Sequence, residues 1–245
     1  MSKSHSAPST RLWLMPTLVT LAIVAALIGA FFWGRSTAPT QADSGGGGTV
    51  QQDTEQTETV PQEVADQVIR RDSEDPLAVG DADAPVVLVK FSDYQCPFCA
   101  RWNAETLPEL QQYVDAGDLR IEWRDINMYG EDSERAAKAA VAAGQQDGFV
   151  EYHELLFPDG DILEDYSAEA LTEIAEETGL DVDQFETDFN SEETADIVAE
   201  NEQVGRSVGA QSTPTFIMNQ TPIVGAQPTE IFVDAFETEL AAAEE

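Results

Sequence analysis

The stretch Val86-Val87-Leu88-Val89-Lys90-Phe91-Ser92-Asp93-Tyr94-Gln95-Cys96-Pro97-Phe98-Cys99 decides how this chain folds. It opens as a short β-branched, apolar run, which reads as a buried strand. Ser92 to Gln95 reads as a turn. From Arg101 to Leu110 apolar residues recur at roughly helical spacing. Pro97 then falls in the first turn of a helix, where a missing N–H costs nothing. Cys96 is thereby expected at a helix N-terminus, where free backbone N–H groups and the helix dipole favour a thiolate.

Cys96 and Cys99 are the only cysteines in 245 residues. A structural disulfide normally closes a long loop, because that removes more entropy from the unfolded chain. A bridge across two intervening residues closes almost none. Zinc needs about four ligands, and the only histidines are His5 and His153. The pair is therefore read as reactive. An attacking thiolate with a second thiol one turn behind it is what thiol–disulfide exchange requires.

Strand, Cys-x-x-Cys and helix, followed far downstream by Ser212-Thr213-Pro214-Thr215-Phe216, resembles the thioredoxin superfamily. The leader from Asp83-Ala84-Pro85-Val86 to Cys99 is most similar to the membrane-anchored bacterial type of DsbA-like thiol:disulfide oxidoreductase. The likeness covers roughly Pro76 to Leu240. It implies an α/β thioredoxin fold with an α-helical domain inserted between the second and third core strands. It implies Cys96 and Cys99 as the catalytic pair, with Cys99 the resolving thiol, and Pro97 and Phe98 as active-site support. It also implies a cis peptide bond before Pro214, and a Thr213 backbone that pairs with an extended substrate segment as in strand addition.

The sequence departs from the family pattern at one position. Many relatives carry an acid six residues before the first cysteine, where it helps move protons; here that residue is Lys90. Lys90 either stays protonated and stabilises thiolates, or titrates as the base itself; the plainer alternative is that it snorkels to solvent from a strand end. The Pro97-Phe98 dipeptide lacks the histidine of the most oxidising members, which implies a less extreme thiolate. Phe98 adds apolar surface facing the substrate.

The resemblance implies an extracytoplasmic enzyme that donates disulfides to exported proteins with free thiols. A quinone-linked membrane oxidoreductase would reoxidise it. Neither an organic cofactor nor a metal is needed. The alternatives are a reductase or isomerase running the same chemistry in reverse, and a thioredoxin-like chaperone or binding domain.

Charge and hydropathy bear on the compartment. The formal net charge is −35, and no Asp or Glu precedes Asp43. From Ser36 onward nine Lys/Arg face 47 acidic residues. Such a surface repels nucleic acid and anionic lipid, which excludes both as partners of the soluble part. It also suits a salty exterior. Leu12 to Trp33 carries no charge; as a helix it spans about 33 Å, enough for a hydrocarbon core of about 30 Å. It reads as an uncleaved transmembrane signal anchor, with cleavage after Ala42 as the alternative. Lys3 and Arg11 flank one side and Arg35 alone the other, which places residues 1–11 in the cytoplasm and the bulk outside.

Residues 34–59, with Gly45 to Gly48, read as a flexible acidic and glycine-rich linker. Residues 60–245 read as the thioredoxin-like domain, with the helical insert at about 131–208. Val60 to Arg71 is expected to form a short helix docked on that domain. Leu119 to Asn127 alternates apolar and polar residues and reads as the second strand. Helices are expected over Ser133–Gln145, with Glu134 and Lys138 at i, i+4, and over Phe149–Leu156. Further helices are expected from an N-cap at Ser167 to a stop at Gly179, and over Asp183–Asn190 and Ser191–Ser207. A hairpin across Asn219-Gln220 and a closing helix over Pro228–Ala242 complete the order. His153 is read as a packing or surface residue, and Trp102 as packing behind the cysteines. The Asp81/Asp83 and Asp159/Asp161 pairs lack the loop spacing of a calcium site.

Overall fold

The computed structural model describes residues 59–244. The expected cytoplasmic segment 1–11, the anchor 12–33 and all of the linker 34–59 except its last residue lie outside the described residues. Among the described residues no helix is long and apolar enough to cross a membrane.

A short helix, Gln62–Val68 (α1), leads to a two-residue strand, Ala78–Val79 (β1). Val86–Ser92 (β2) follows, then Pro97–Glu105 (α2), Leu107–Asp115 (α3) and Leu119–Asp125 (β3). The insert comes next, as Glu131–Gly144 (α4), Phe149–Leu155 (α5), Ala168–Glu177 (α6), Val182–Phe189 (α7) and Glu192–Ser207 (α8). Thr215–Met218 (β4), Thr221–Val224 (β5) and Thr229–Ala243 (α9) close the chain. The sheet order is β1-β3-β2-β4-β5. β2 is parallel to β3 and antiparallel to β4. This is the thioredoxin fold with a helical insertion between its second and third core strands.

Why β2 sits at the centre follows from its sequence. Its seven residues are all buried, as a β-branched run flanked by strands on both edges should be. Alternate side chains divide between two cores. Val86 and Leu88 join the larger cluster, with Trp102, Trp123 and the insert. Val87, Val89 and Phe91 join a smaller one on the other face, with Val68 of α1. So α1 does dock, and the strand carrying the cysteine turn is held from both sides.

Local signals set most element ends. The Ser167 hydroxyl accepts a hydrogen bond from the Ala170 N–H at 3.3 Å and caps α6. Asn219 adopts a φ of 48° in the β4–β5 turn, a conformation that asparagine tolerates better than most residues. Lys138 Nζ donates to Glu134 Oε1 at 2.5 Å on the exposed side of α4. The rest of α4 is alanine-rich and buried nearly all round, which lets its neighbours approach closely. Gly144 shows the limit: a Cβ there would lie 2.1 Å from the carbonyl oxygen of Pro76.

One expectation is corrected. The helix after the cysteines is not continuous; it breaks at Thr106, because Pro108 lacks an N–H and its ring clashes with the preceding turn. The expected strand at Leu119 forms, and its polar residues are shielded as well as its apolar ones: all seven positions are buried. Arg120, Glu122 and Arg124 lie under the segment between α1 and β1. Glu122 accepts hydrogen bonds from the Arg70 and Arg71 N–H groups at 3.0 and 2.9 Å, and from Arg120 and Arg124, each at 2.8 Å. Arg124 also pairs with Asp75 at 2.7 Å. Alternation marked the two faces correctly, but the second face is a buried ionic cluster that straps residues 70–79 to the sheet. β1 is too short for any period to reveal.

Candidate active site

Cys96 is the N-cap of α2, with Pro97 in its first turn. The Cys99 and Ala100 N–H groups donate to the Cys96 carbonyl at 3.0 and 3.1 Å. Asp93 holds the turn in front. Its Oδ1 accepts from the Gln95 N–H at 2.8 Å and from Ser133 Oγ at 2.7 Å. Its Oδ2 accepts from the Met128 and Tyr129 N–H groups at 2.7 and 3.2 Å. One buried carboxylate thus ties the cysteine turn to the loop after β3 and to the first turn of the insert.

The cysteines are free thiols in this structure, and both are buried. The Cys96 thiol donates to the carbonyl oxygen of Thr213 at 3.3 Å. The Thr213–Pro214 peptide bond is cis. Pro214 is buried, and its carbonyl accepts from the Gly225 N–H at 2.9 Å. The residue pairs at 96/99 and 213/214, far apart in sequence, therefore meet.

The two sulfurs are electrostatically unlike. A hydrogen bond from the Cys99 thiol lowers the Cys96 pKa to about 5, against the opposing effect of burial. The Thr213 side chain and the backbone N–H groups of Cys99 and Phe98, which can donate to the thiolate, add to the lowering, the backbone groups as a helix N-terminus should. Burial pushes the Cys99 thiol up, and the neighbouring Cys96 adds to that. One sulfur is a thiolate at neutral pH and the other a thiol.

Lys90 does not snorkel. It is 0% exposed, because β2 is central and Asn103 of α2 covers its end. Lys90 Nζ donates to Asn103 Oδ1 at 2.7 Å and lies 4.6 Å from the Trp102 ring centroid. Burial lowers its pKa to about 8, while the nearby charges of Cys99, Asp125 and Cys96 hold it up. Asp125 is the carboxylate that β2 lacks, and it comes from the neighbouring strand. Burial raises it to about 7, against the pull of Lys90. Neither of its oxygens has a hydrogen-bond partner among the described residues.

Sequence reasoning missed Asp125, which looked like the end of an alternating strand, and Asp93, which looked like ordinary turn chemistry. It also missed Tyr129. That side chain is 56% exposed, and Met128 (51%) and Phe98 (55%) are similarly open. The charge on Cys96 raises the Tyr129 phenol's pKa. The legible signal was a pair of large apolar residues in a loop at the C-terminal end of a core strand. Trp102 is fully buried and packs on Phe216 and Phe232, with ring centroids 4.9 and 5.7 Å away. His153 is buried in an aromatic cluster with Tyr94, Trp123, Phe149 and Phe157.

Comparison with known proteins agrees with this geometry. A family model described as thioredoxin matches residues 72–237. Disulfide bond formation protein D of Bacillus subtilis is 29% identical over 175 residues, covering 66% of this chain and 76% of that protein. The crystal structure of oxidised BdbD from Bacillus subtilis superposes with a TM-score of 0.61 at 27% identity, over 67% of this chain and 92% of that one. A thioredoxin-like oxidoreductase from Silicibacter pomeroyi gives 0.59 at 28% identity, over 71% and 95% of the two chains. With a thiolate-stabilising Cys-Pro-Phe-Cys turn set against a cis-proline loop, this chain belongs to the thioredoxin family, as a DsbA-like protein thiol:disulfide oxidoreductase.

Proposed function

We infer that this oxidoreductase works as a disulfide donor to exported proteins, through the Cys96–Cys99 pair. The observation that carries this reading is the contrast between the two sulfurs. A Cys96 thiolate held near pKa 5 stabilises the dithiol form, and a stabilised dithiol makes the corresponding disulfide a strong oxidant.

In the oxidised enzyme a substrate thiolate attacks Cys96 Sγ. Its electron pair forms the mixed disulfide, and the pair of the broken bond leaves on Cys99 Sγ. Buried Cys99 takes up a proton, and Lys90, the cation whose charge opposes the rise in its pKa, supplies it. A second substrate thiolate then attacks the substrate sulfur of the mixed disulfide, and Cys96 leaves as a thiolate. The low pKa of Cys96 makes this departure easy. The Thr213 backbone pairs with the extended substrate segment, and Phe98, Met128 and Tyr129 offer it an apolar rim.

The setting of this chemistry rests on the sequence. Leu12 to Trp33 holds the enzyme at the membrane with its catalytic domain outside the cytoplasm, where disulfides persist. A quinone-linked membrane oxidoreductase accepts the two electrons left on Cys96 and Cys99.

The test is the equilibrium redox state of Cys96–Cys99 across glutathione buffers, read by thiol alkylation and mass. A potential above about −150 mV, near that of strong protein oxidants, supports the donor. A value near about −270 mV, like that of thioredoxin, overturns it in favour of a reductase.

A further inference from the structure

Residues 59–244 hold nine Lys and Arg against a large surplus of carboxylates. Eight of the nine side chains bond to a carboxylate, carbonyl or amide oxygen. Arg101 is the exception. It is exposed, and among the described residues it makes no ion pair and no hydrogen bond. What it touches is aromatic: its guanidinium carbon lies 5.1 Å from the ring centroid of Phe98, within the roughly 6 Å at which a cation is drawn to a ring face.

Both residues belong to α2 and stand three positions apart, so they share one face of the helix. Helical side chains lean towards the N-terminus of their helix, which carries the guanidinium back over the turn that holds Cys96 and Cys99. Helix energetics does not favour a cation at this end. The N-terminus carries partial positive charge, and a carboxylate would be the stabilising choice. Glu105, at i+4 from Arg101, offers the weaker of the two pair orientations and is not engaged. The result is a planar cation ordered on a ring that is itself 55% exposed, beside the cysteine pair and open to solvent.

We propose that Arg101, stacked on Phe98, is a specificity-determining residue that receives a carboxylate flanking the substrate cysteine. The proposal rests on Cys96–Cys99 being the redox pair, and it names a substrate class: cysteines in acidic segments of exported proteins. A substrate thiolate that reaches Cys96 brings its neighbouring side chains over Phe98, because Phe98 sits between the two cysteines. An acidic segment is otherwise ill-suited to this enzyme, since a net charge of −35 repels it. Its carboxylate also disfavours the thiolate beside it. Pairing with Arg101 removes both handicaps where the bond forms. The guanidinium fork matches a carboxylate through two parallel N–H···O bonds, and its planar, stacked geometry leaves less side-chain entropy to lose. The bond changes are those of the exchange itself: the substrate sulfur bonds to Cys96 Sγ, and the electron pair of the broken bond leaves on Cys99 Sγ. Carboxylate and guanidinium exchange no proton. Surfaces suited to a salty exterior are acidic, so exported proteins that share it would carry such segments.

The experiment follows reduction of the oxidised full chain by peptides with two cysteines, read by thiol alkylation and mass. Each turnover reduces the enzyme's disulfide to two thiols and oxidises the peptide's two thiols to a disulfide. Three peptides differ only in the residues flanking their cysteines, which are Asp, Asn or Lys. The readout is the ratio of rates between peptides, compared between wild type and variant, so that intrinsic differences among the peptide thiols cancel. Arg101→Gln is expected to lower the Asp-to-Asn ratio about threefold to fivefold, the size of one exposed ion pair, and to raise the Lys-to-Asn ratio. Arg101→Lys keeps the charge without the fork and should fall between. Arg101→Glu should favour the Lys peptide. Ratios that stay at the wild-type values overturn the proposal, whether the absolute rates hold or fall together. A reduction potential like that of thioredoxin would overturn the donor reading alone, because the same mixed disulfide forms in either direction. A Cys96→Ser chain that still exchanges disulfides would sink the redox reading itself.

Discussion

Lys90 and Asp125 share one face of two neighbouring parallel strands. Lys90 stands beside Trp123 and Asp125 beside Ser92 in the register, and both ionisable side chains are buried. The cation lies on the strand that leads into the cysteines, and the anion on the next strand. Neither group has enough neighbours to justify a buried charge alone. Each makes sense as the other's counter-charge, with the cysteine sulfurs as the third party.

Breaking this pair should therefore be worse than replacing it. Lys90→Met leaves an unpaired carboxylate in the core, and the oxidised protein should lose roughly 3–5 kcal/mol at pH 8. Adding Asp125→Leu should recover most of that. Urea unfolding of the two single variants and the double variant measures the coupling. Singles that sum to the double within about 0.5 kcal/mol would show that the two groups act independently.

The Cys96 thiolate makes stability depend on pH with a definite sign. In the folded reduced protein this thiol titrates near 5, against an ordinary value of 9.0. Between those values the unfolded chain holds the extra proton, so stability rises with pH and is lost as pH falls through 5. Asp125 acts oppositely: its folded carboxyl titrates near 7 against 3.8, so its contribution falls as pH rises through that interval. The two oppose each other between 5 and 7. From 7 to 8 the reduced protein should climb through Cys96 alone, and Cys96→Ser should be flat there. Lys90, near 8 against 10.5, adds a further rise above 8. Thiolate absorbance at about 240 nm should show the midpoint near 5 directly.

Glu122 is the keystone of the strap between α1 and β1. Glu122→Gln keeps the shape but removes the charge facing Arg120 and Arg124, and it places a donor among donors. Trypsin reads the consequence, because Arg70 and Arg71 are its cleavage sites in the strap. The variant should be cut there at least tenfold faster than the wild type, with stability lower by roughly 3–5 kcal/mol. Equal cleavage rates would mean that apolar docking of Val68 and Ala65 suffices to hold the segment.

A net charge of −35 makes the surface repel itself, and salt screens exposed charges. The Debye length falls from about 10 Å at 0.1 M salt to about 3 Å at 1 M. The melting temperature should therefore rise by several degrees across that range of sodium chloride, with no further specific ion required. A melting temperature that stays level up to about 1 M would count against adaptation to a salty exterior.

Residues 86–99 and 212–216 were enough to name the fold and the reacting pair. The physical reason is that both depend on local chemistry. A β-branched run must be buried, a proline at position 97 starts a helix, and a thiol at that helix's N-terminus ionises. Caps such as Ser167 and turns such as Asn219-Gln220 were legible for the same reason. The burial of β3's charged face was not. Alternation at Arg120, Glu122 and Arg124 says that two faces differ, but not whether water or another part of the chain covers the polar one. Lys90 was visible as a departure whose meaning depended on its surroundings. Only the parallel register with β3 placed Asp125 beside it. Likewise His153 reads as a lone histidine on a short helix until α5 packs against the sheet and sets its ring against Tyr94. Sequence alone determined which atoms can react. The tertiary structure decided which charges and hydrogen-bond partners surround them, because those partners lie as far as 117 residues away along the chain and meet only when the sheet and the insert close.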